Sequence, residues 1–229
     1  MFLHIKQVLT TSELAHLRQS LGPQAPWVDG ARSAGAQAVH QKNNLQLAQD
    51  SALCAQLQGV VKGALHRNPL FFSAALPRRI YNPLFNQYGG GTNAYGNHVD
   101  SAVMHSKADN CWVRSDLSCT LFLPPPEDYD GGELVIARPM GDQRVKLPAG
   151  DMVVYPSSTV HQVLPVTRGH RTSSFFWVES MVRGLEQRQL LFDMDMALLQ
   201  LRQAHGDTDP PVVALSGTYH NLLRMWADV

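Results

Sequence analysis

The segment Asp116-Leu-Ser-Cys-Thr-Leu-Phe-Leu123 alternates apolar and polar residues, which is the pattern of a β-strand with two different faces. One face carries Leu117, Cys119, Leu121 and Leu123. The other face carries Asp116, Ser118 and Thr120. This second face is unusually polar for the core of a barrel, so the pattern predicts a sheet with one apolar and one polar side.

Outward from this strand, residues 78 to 180 contain short β-rich runs separated by Gly, Pro and Asp, at the spacing of an antiparallel barrel or sandwich. The predicted strands are 78–88, 97–104, 114–123, 132–137, 143–148, 151–155, 160–165 and 171–180. Eight strands without a long intervening helix favour a double-sheet jelly roll, also called a double-stranded β-helix. The open end of such a fold can hold a small ligand.

Helical patterns precede this β region. Thr10 and Glu13 have the spacing of a capping box, which predicts a short helix after Thr10. Residues 48–67 place apolar side chains at helical intervals and predict a second helix packed on a larger body. Residues 22–44 are expected to be loop or irregular strand.

Helical patterns also follow the β region. A Leu- and Met-rich helix over 182–201 is expected to cover an outer sheet face, and a last helix is expected over 216–227. The predicted fold is therefore mainly β with flanking helices. We expect an N-terminal helical or irregular support (1–77), a jelly-roll core (78–180) and a C-terminal helical extension (181–229).

Composition places the chain among ordinary globular proteins. Hydrophobic residues make up 44% of its 229 residues and charged residues 17%, which excludes a disordered, collagen-like or coiled-coil chain. Nineteen Lys and Arg balance nineteen Asp and Glu, so neither a nucleic acid nor an anionic membrane is expected as a partner. Three cysteines without a CxxC pair favour free thiols. Because no signal-peptide or membrane-span pattern is present, we expect a cytoplasmic protein.

A metal-ligand motif lies in Asn97-His-Val-Asp100, and His161 follows sixty-one residues after Asp100. In an extended segment, His98 and Asp100 project from the same face. Two imidazoles and one carboxylate form the facial triad that binds Fe(II) and leaves positions open for a bidentate co-substrate and dioxygen. A second copy, His205-Gly-Asp207, is interpreted as a solvated helix end because no strand pattern surrounds it.

Arg171 lies ten residues beyond His161 and opens the last predicted strand. If residues 166–170 form a hairpin loop, Arg171 lies opposite Pro165, roughly 13 Å along the sheet from His161 at about 3.3 Å per residue. That distance suits 2-oxoglutarate. Its 1-carboxylate and 2-oxo group can chelate iron while its far carboxylate meets the guanidinium group.

The order of His-x-Asp, His and Arg on a predicted jelly roll resembles the Fe(II)/2-oxoglutarate-dependent dioxygenases of the prolyl 4-hydroxylase type. The resemblance is closer still to the bacterial PKHD-type hydroxylases associated with iron uptake. The stretches that carry it are 86–100, 114–123, 128–134, 147–151 and 163–171, about half of the chain, and the helical C-terminal segment is also similar to that family's extension.

The resemblance implies a function and a set of site residues. His98, Asp100 and His161 match the iron ligands, and Arg171 matches the residue that binds the distal carboxylate of 2-oxoglutarate. Tyr88 matches a tyrosine whose hydroxyl also reaches that carboxylate. The implied reaction is hydroxylation of a C–H bond with conversion of 2-oxoglutarate and O₂ to succinate and CO₂. Family members are also described as using L-ascorbate, but no residue here indicates an ascorbate site.

Several neighbouring segments have their own predicted roles. Gly89-Gly-Gly91 is interpreted as a flexible rim near the iron, and Asp130-Gly-Gly-Glu133 as a tight turn entering a strand. His105 stands at odd spacing from His98 and is expected to face away from the metal. Residues 101–113 are expected to form a mobile loop with substrate contacts. Its polar and aromatic members are His105, Lys107, Asp109, Asn110 and Trp112.

Two other classes of function stay open at this point. A cupin-like zinc or nickel hydrolase or isomerase could use the same three ligands, since affinity alone does not select iron. A non-catalytic jelly-roll sensor or binding module would treat the two histidines as ordinary buried groups. For an oxygenase, the substrate could be a peptidyl residue, a siderophore or a small metabolite. The apolar surface of the 182–201 helix suits either internal packing or a homo-oligomer.

Overall fold

The computed structural model describes residues 1–33, 42–106 and 109–229. Its helices are α1 (Thr11–Ser20), α2 (Ala52–His66), α3 (Pro69–Ala75), α4 (Leu185–His205) and α5 (Pro210–Trp226). Its strands are β1 (Leu3–Ile5), β2 (Trp27–Asp29), β3 (Lys42–Asn43), β4 (Leu45–Leu47), β5 (Pro77–Ile80), β6 (Leu84–Tyr88), β7 (Ala94–His98), β8 (Val103–Ser106), β9 (Cys111–Arg114), β10 (Leu117–Phe122), β11 (Asp130–Gly131), β12 (Leu134–Ile136), β13 (Gln143–Val145), β14 (Met152–Pro156), β15 (His161–Val163), β16 (Val166–Arg168) and β17 (Arg171–Ser180).

Two antiparallel sheets form the body of the molecule. The larger, here called the major sheet, has the order β1-β14-β10-β17-β6-β4-β2, with β5 also paired to β17. The minor sheet has the order β13-β12-β15-β7-β3, and the pairs β8–β9 and β11–β16 stand apart. Along the chain, β6, β10, β14 and β17 of the major sheet alternate with strands of the minor sheet. This alternation confirms the predicted jelly roll.

Strand β10 has one apolar and one polar side, as its alternating sequence predicts. Its apolar side packs into a large core beneath α1 and α2, together with residues of β6, β14 and β17. Leu117, Cys119 and Leu121 are at most 1% exposed there. The other side of β10, with Ser118 and Thr120, faces the space between the two sheets. One strand therefore separates an apolar outer layer from a polar interior.

Two helices cover the outer side: α1 begins directly after Thr10, as predicted, and α2 begins at Ala52, four residues into the predicted range 48–67. Thr10 accepts a hydrogen bond from the Glu13 amide and the Glu13 carboxylate accepts one from the Thr10 amide, which completes the capping box of α1. Ser51 caps α2 through the Cys54 amide. Buried Leu17 and Leu57 bring these helices onto the sheet.

The C-terminal helices differ from the expectation. Instead of covering a sheet face, α4 packs on α3 and α5 around a small apolar cluster that includes Leu76 and Leu198. The last helix starts at Pro210, six residues before the predicted position, because proline is well suited to the first turn of a helix. None of the helices in the described ranges has a continuous apolar stretch sufficient for a membrane span.

Three further segments depart from the predicted secondary structure. The strand predicted over 97–104 is wrong, because β7 ends at His98 and a new strand begins at Val103. Part of the predicted loop 101–113 is a hairpin, since β8 pairs with β9, although Lys107 lies outside the described residues. The N-terminal segment also adds strands to both sheets through β1–β4. These pairings link residues far apart in sequence, so local patterns do not reveal them.

Candidate active site

Two histidines meet across neighbouring strands of the minor sheet. His161, the first residue of β15, is the cross-strand partner of His98, the last residue of β7. Their ring centroids are 4.2 Å apart. Asp100 follows two residues later, and one ligand atom from each of the three side chains lies within 4.8 Å of the others. The sequence motif therefore converges into a compact group of two imidazoles and one carboxylate, as predicted.

Backbone hydrogen bonds orient both imidazole rings. The Nδ1 atom of His98 lies 2.8 Å from the Gly96 carbonyl oxygen, and that of His161 lies 3.0 Å from the Thr159 carbonyl oxygen. Since a carbonyl oxygen only accepts, each Nδ1 carries the proton and each Nε2 keeps a lone pair for a metal. Burial and the neighbouring His161 lower the pKa of His98 to about 4, so its ring is neutral at pH 7.

Asp100 lies outside any strand, and its carboxylate is held by side chains. The Ser118 hydroxyl donates to Asp100 Oδ2 at 2.6 Å, and Ser157 lies 2.8 Å from Ser118. Because the Ser118 proton points to the carboxylate, Ser157 must donate to the Ser118 oxygen. Ser115 holds the adjoining segment through the Ser101 carbonyl. Two buried hydroxyls in series therefore fix this carboxylate.

Arg171 lies at the start of β17, in the major sheet, where its cross-strand partner is Tyr88 of β6. It is 1% exposed, and its guanidinium carbon lies 5.3 Å from the Tyr88 ring and 5.2 Å from the Phe122 ring. One terminal nitrogen donates to Ser173 at 3.0 Å. Among the described residues, none accepts a hydrogen bond from its buried Nε. A buried guanidinium with an unused donor is suited to an anionic ligand.

The predicted hairpin between His161 and Arg171 is wrong. Strand β16 occupies residues 166–168 and pairs with β11, while β17 pairs with β6 and β10. Arg171 therefore belongs to the sheet opposite His161, and the distance along a single sheet does not apply. Both residues nevertheless line the same cavity of about 330 Å³ between the sheets.

This cavity also contains the remaining site residues. Tyr88 lines it and is 1% exposed, and burial raises the pKa of its hydroxyl. The predicted turn before β12 packs against the same end, because a Cβ at Gly132 would lie 3.0 Å from Arg171 Cδ. Gly132 has a φ of +68°, which favours glycine. The cavity thus joins the His/Asp/His group to the buried arginine.

Comparison with known proteins identifies the family of this chain. The model for the 2OG-Fe(II) oxygenase superfamily matches residues 83–179, and that for the PKHD-type hydroxylase C-terminal domain matches residues 186–228. A PKHD-type hydroxylase from Variovorax paradoxus (strain S110) is 58% identical over the full length of both chains. The chain belongs to the PKHD-type hydroxylase family. It is thus a 2-oxoglutarate-dependent oxygenase, of a superfamily that uses Fe(II), 2-oxoglutarate and O₂.

Solved structures agree on the fold of the hydroxylase. A prolyl hydroxylase from Trichoplax adhaerens, in complex with a hypoxia inducible factor peptide, matches with a TM-score of 0.53 and 17% identity over 83% of this chain and 86% of that one. HygX from Streptomyces hygroscopicus, with nickel, 2-oxoglutarate and hygromycin B bound, matches with a TM-score of 0.51 and 14% identity over 76% and 81%. These structures contain a peptide and a small molecule, so the shared fold leaves the substrate class of the hydroxylase open.

Other predicted residues lie apart from the hydroxylase's His/Asp/His group. His105 packs edge-on against Trp112, with ring centroids 5.1 Å apart, on the β8–β9 hairpin. His205 ends α4 in an exposed position, and Asp207 is also exposed, as expected for a solvated helix end. Gly89 and Thr92 pair across a tight turn in which Gly90 has a φ of +58°.

Three residues of the site were not predicted from the sequence. Lys42 and Tyr95 line the cavity beside His98, and Ser157 supports the Asp100 carboxylate through Ser118. Lys42 falls in a segment predicted to be loop or irregular strand, without a motif around it. In the sequence, the signal for this part of the site was the polar face of β10, because that face contains Ser118.

Proposed function

We propose that this chain hydroxylates a C–H bond, with His98, Asp100 and His161 as the iron ligands. Arg171, assisted by Tyr88, binds the distal carboxylate of 2-oxoglutarate. The observation that carries this proposal is the presence of the His/Asp/His group and the buried arginine in one cavity. Each group by itself fits other functions, whereas the combination matches an iron centre with an acidic co-substrate.

The donor set fits Fe(II). Two neutral imidazole nitrogens and one carboxylate oxygen are the ligands of mononuclear non-haem iron oxygenases, which keep the remaining positions open. A closed structural zinc site would instead need a fourth protein ligand. Among the described residues, His98, Asp100 and His161 form the metal-ligating group, without a fourth His, Cys, Asp or Glu.

The opposite end of the cavity fits a carboxylate. The Arg171 guanidinium donates one hydrogen bond to Ser173, which in turn donates to Asn86 at 2.6 Å. This series of hydrogen bonds holds the guanidinium in place, and the Nε remains able to donate to a ligand. Tyr88 lies beside it with a neutral hydroxyl, since burial raises its pKa. Both side chains can therefore donate to the same anionic group.

When bound, iron and 2-oxoglutarate supply the oxidation: 2-oxoglutarate and O₂ are converted to succinate and CO₂, and one oxygen atom enters the substrate C–H bond. The protein contributes orientation and exclusion of water. The backbone carbonyls fix the imidazoles, the serine pair fixes the carboxylate, and Arg171 fixes the co-substrate. No protein nucleophile or acid–base pair is required for this scheme.

The broader biological setting follows from the family resemblance. We extend the proposal to L-ascorbate as a reductant that returns over-oxidised iron to Fe(II), to a role linked to iron uptake, and to a cytoplasmic location. We also propose that residues 1–77 form an N-terminal support, residues 78–180 the jelly-roll core and residues 181–229 a C-terminal extension. The substrate is a small molecule or a peptidyl residue, and nucleic acid is not expected among the partners.

An anaerobic titration tests the proposed co-substrate site. Apo-protein receives Fe(II) and then 2-oxoglutarate, and the weak visible metal-to-ligand charge-transfer band is followed in wild type, Arg171→Met and Arg168→Met. Arg168 is a matched control, since it is exposed and pairs with Asp130 at the surface. We expect the band with both ligands in wild type and in the control, and much weaker 2-oxoglutarate binding in Arg171→Met.

Two results would contradict the proposal. If Fe(II) binds but no band forms at any 2-oxoglutarate concentration, the site is a different metal centre. If Arg171→Met titrates like wild type, the co-substrate is held elsewhere in the cavity.

A further inference from the structure

Asn44 is a buried polar residue of the cavity to which the proposed function assigns no role. It lines the cavity and is 1% exposed. Among the described residues, none forms a hydrogen bond with its side-chain amide nitrogen or oxygen. A buried amide without a partner lowers stability, so nearly all such groups in folded proteins are hydrogen-bonded to protein, water or a ligand. The exception at Asn44 therefore indicates a group that completes its hydrogen bonds when the cavity is filled.

The chain passes from one sheet to the other at Asn44. Strand β3 ends at Asn43 in the minor sheet, and β4 begins at Leu45 in the major sheet. The Asn44 carbonyl oxygen accepts a hydrogen bond from the Gly30 amide at 2.9 Å. A Cβ at Gly30 would overlap Asn44 Oδ1, so the side-chain amide occupies space that only a glycine leaves open. The backbone hydrogen bond and this close packing hold Asn44 in place at the wall of the cavity.

Strand register brings Asn44 next to the two residues that we propose bind the distal carboxylate. Leu45 pairs with Gln87 across β4 and β6, so the same register continued by one residue sets Asn44 opposite Tyr88. Tyr88 in turn pairs with Arg171 of β17. Cross-strand partners project from the same face of a sheet. Asn44, Tyr88 and Arg171 therefore form one row of polar side chains on the inner face of the major sheet.

Both neighbours in this row act on the Tyr88 hydroxyl. Burial raises its pKa, whereas Arg171 and the Asn44 amide act in the opposite direction. An amide N–H has this effect when it faces the phenol oxygen, because it favours the charged form. An amide nitrogen can only donate, so the Tyr88 oxygen is the acceptor and the Tyr88 proton points away from Asn44. That proton is then free to be donated to a ligand in the cavity.

We propose that Asn44 is a positioning residue for 2-oxoglutarate: its amide donates to the Tyr88 oxygen and so directs the Tyr88 proton to the distal carboxylate. Arg171 donates to the same carboxylate from the other side of Tyr88. Asn44 thereby favours a 2-oxo acid with a second carboxylate over one without it. This inference rests on the proposed function, which uses Tyr88 and Arg171 but not Asn44.

A double-mutant cycle tests the inference. The dissociation constant of 2-oxoglutarate is measured from the visible band of the Fe(II) complex, without O₂, in wild type, Asn44→Ala, Tyr88→Phe and the double variant. We expect about a tenfold rise in each single variant. The double variant should stay within twofold of Tyr88→Phe, because Asn44 acts through the Tyr88 hydroxyl. Asn221→Ala is the control, since Asn221 is exposed on α5, and it should bind 2-oxoglutarate like wild type.

Three results of the cycle would overturn the inference. The first is a dissociation constant of Asn44→Ala within twofold of wild type. The second is a loss in Asn44→Ala without a loss in Tyr88→Phe. The third is a double variant weakened about a hundredfold, which would show that the two side chains act independently. Failure of wild type to form the band with Fe(II) and 2-oxoglutarate would instead contradict the proposed function.

A second 2-oxo acid separates positioning from a general effect on the fold. 2-Oxopentanoate has the same chelating end and chain length as 2-oxoglutarate but lacks the distal carboxylate. We expect its dissociation constant to stay within twofold of wild type in Asn44→Ala and in Tyr88→Phe, which also shows that both variants are folded. An equal loss for both acids would show that Asn44 only supports the fold, and would overturn the inference.

Asn44→Asp reverses the hydrogen bond with almost no change of shape. A carboxylate at this position accepts the Tyr88 proton and adds a negative charge near the distal carboxylate of the co-substrate. We expect 2-oxoglutarate to bind about tenfold more weakly than it does to Asn44→Ala, whereas 2-oxopentanoate should bind like wild type. Wild-type affinity of Asn44→Asp for 2-oxoglutarate would overturn the inference.

Discussion

The two faces of the major sheet are built from the same strands but have opposite chemistry. On β10, Leu121 packs outward against the layer formed with α1 and α2, whereas Ser118 faces inward and binds the Asp100 carboxylate. Burial of apolar area drives folding, whereas a buried polar group lowers stability unless it is hydrogen-bonded. The outer face thus stabilises a framework, and the inner face holds the polar groups that we propose bind the metal and the co-substrate.

The buried polar groups of the inner face are tolerated in the fold because they are hydrogen-bonded to one another. Ser118 is linked to Ser157 and Asp100, and Arg171 is linked to Ser173 and through it to Asn86. Each network ends at a group with capacity for a ligand. Substitutions should therefore separate the faces: outer changes should alter the free energy of unfolding, and inner changes should alter ligand binding.

The largest expected effect is on the inner side. His161→Ala removes one of two imidazoles, and we expect iron binding and succinate formation to fall below detection. Metal content after anaerobic loading and desalting measures the first, and chromatography measures the second. His105→Ala is the control, because that ring packs on Trp112 at the surface hairpin. Wild-type iron content in His161→Ala would exclude the residue as a ligand.

The outer face should respond through stability alone. Leu121→Ala removes a side chain with no exposed surface, and we expect the free energy of unfolding to fall by about 2–5 kcal/mol. Urea denaturation followed by circular dichroism measures it. The exposed Leu199→Ala should change it by less than about 0.5 kcal/mol. If Leu121→Ala weakened iron binding in the folded protein, the two faces would not be independent.

Ser118→Ala should have the opposite effect to Leu121→Ala: it should weaken metal binding rather than stability. Without the Ser118 hydroxyl, Asp100 loses its donor, so we expect the metal dissociation constant to rise about 10- to 100-fold. Titration of apo-protein with Mn(II), followed by electron paramagnetic resonance, measures the affinity without turnover. The neighbouring Leu117→Ala, on the outer face, should lower stability and leave Mn(II) affinity unchanged. A change within twofold for Ser118→Ala would show that the serine pair does not support the ligand.

The smallest expected effect concerns the exposed cap of α1, which does not line the cavity. Thr10→Ala removes the side-chain half of the α1 capping box and should lower the free energy of unfolding by about 1 kcal/mol. Gln19→Ala, an exposed position near the end of the same helix, is the control. Urea midpoints provide the measurement, and 2-oxoglutarate affinity should not change. Equal midpoints for Thr10→Ala and wild type would show that α1 does not need this cap.

The sequence by itself determined the features that depend on short-range order. Alternation in β10, the capping box at Thr10 and the spacing of the His-x-Asp motif are readable because strand and helix periods act over a few residues. The position of His161 at the start of a strand and of Arg171 at the start of the next long strand also followed from local patterns. These features were sufficient for the fold class and for a hypothesis about the metal.

Only the tertiary structure decided which strands become neighbours. It placed Arg171 in the sheet opposite His161, turned part of 101–113 into a hairpin, and brought Lys42 beside Tyr95. It also joined Ser118 to Asp100 across 18 positions. The physical reason is that strand pairing depends on long-range register and sheet closure, which involve residues remote in sequence and leave little trace in local composition.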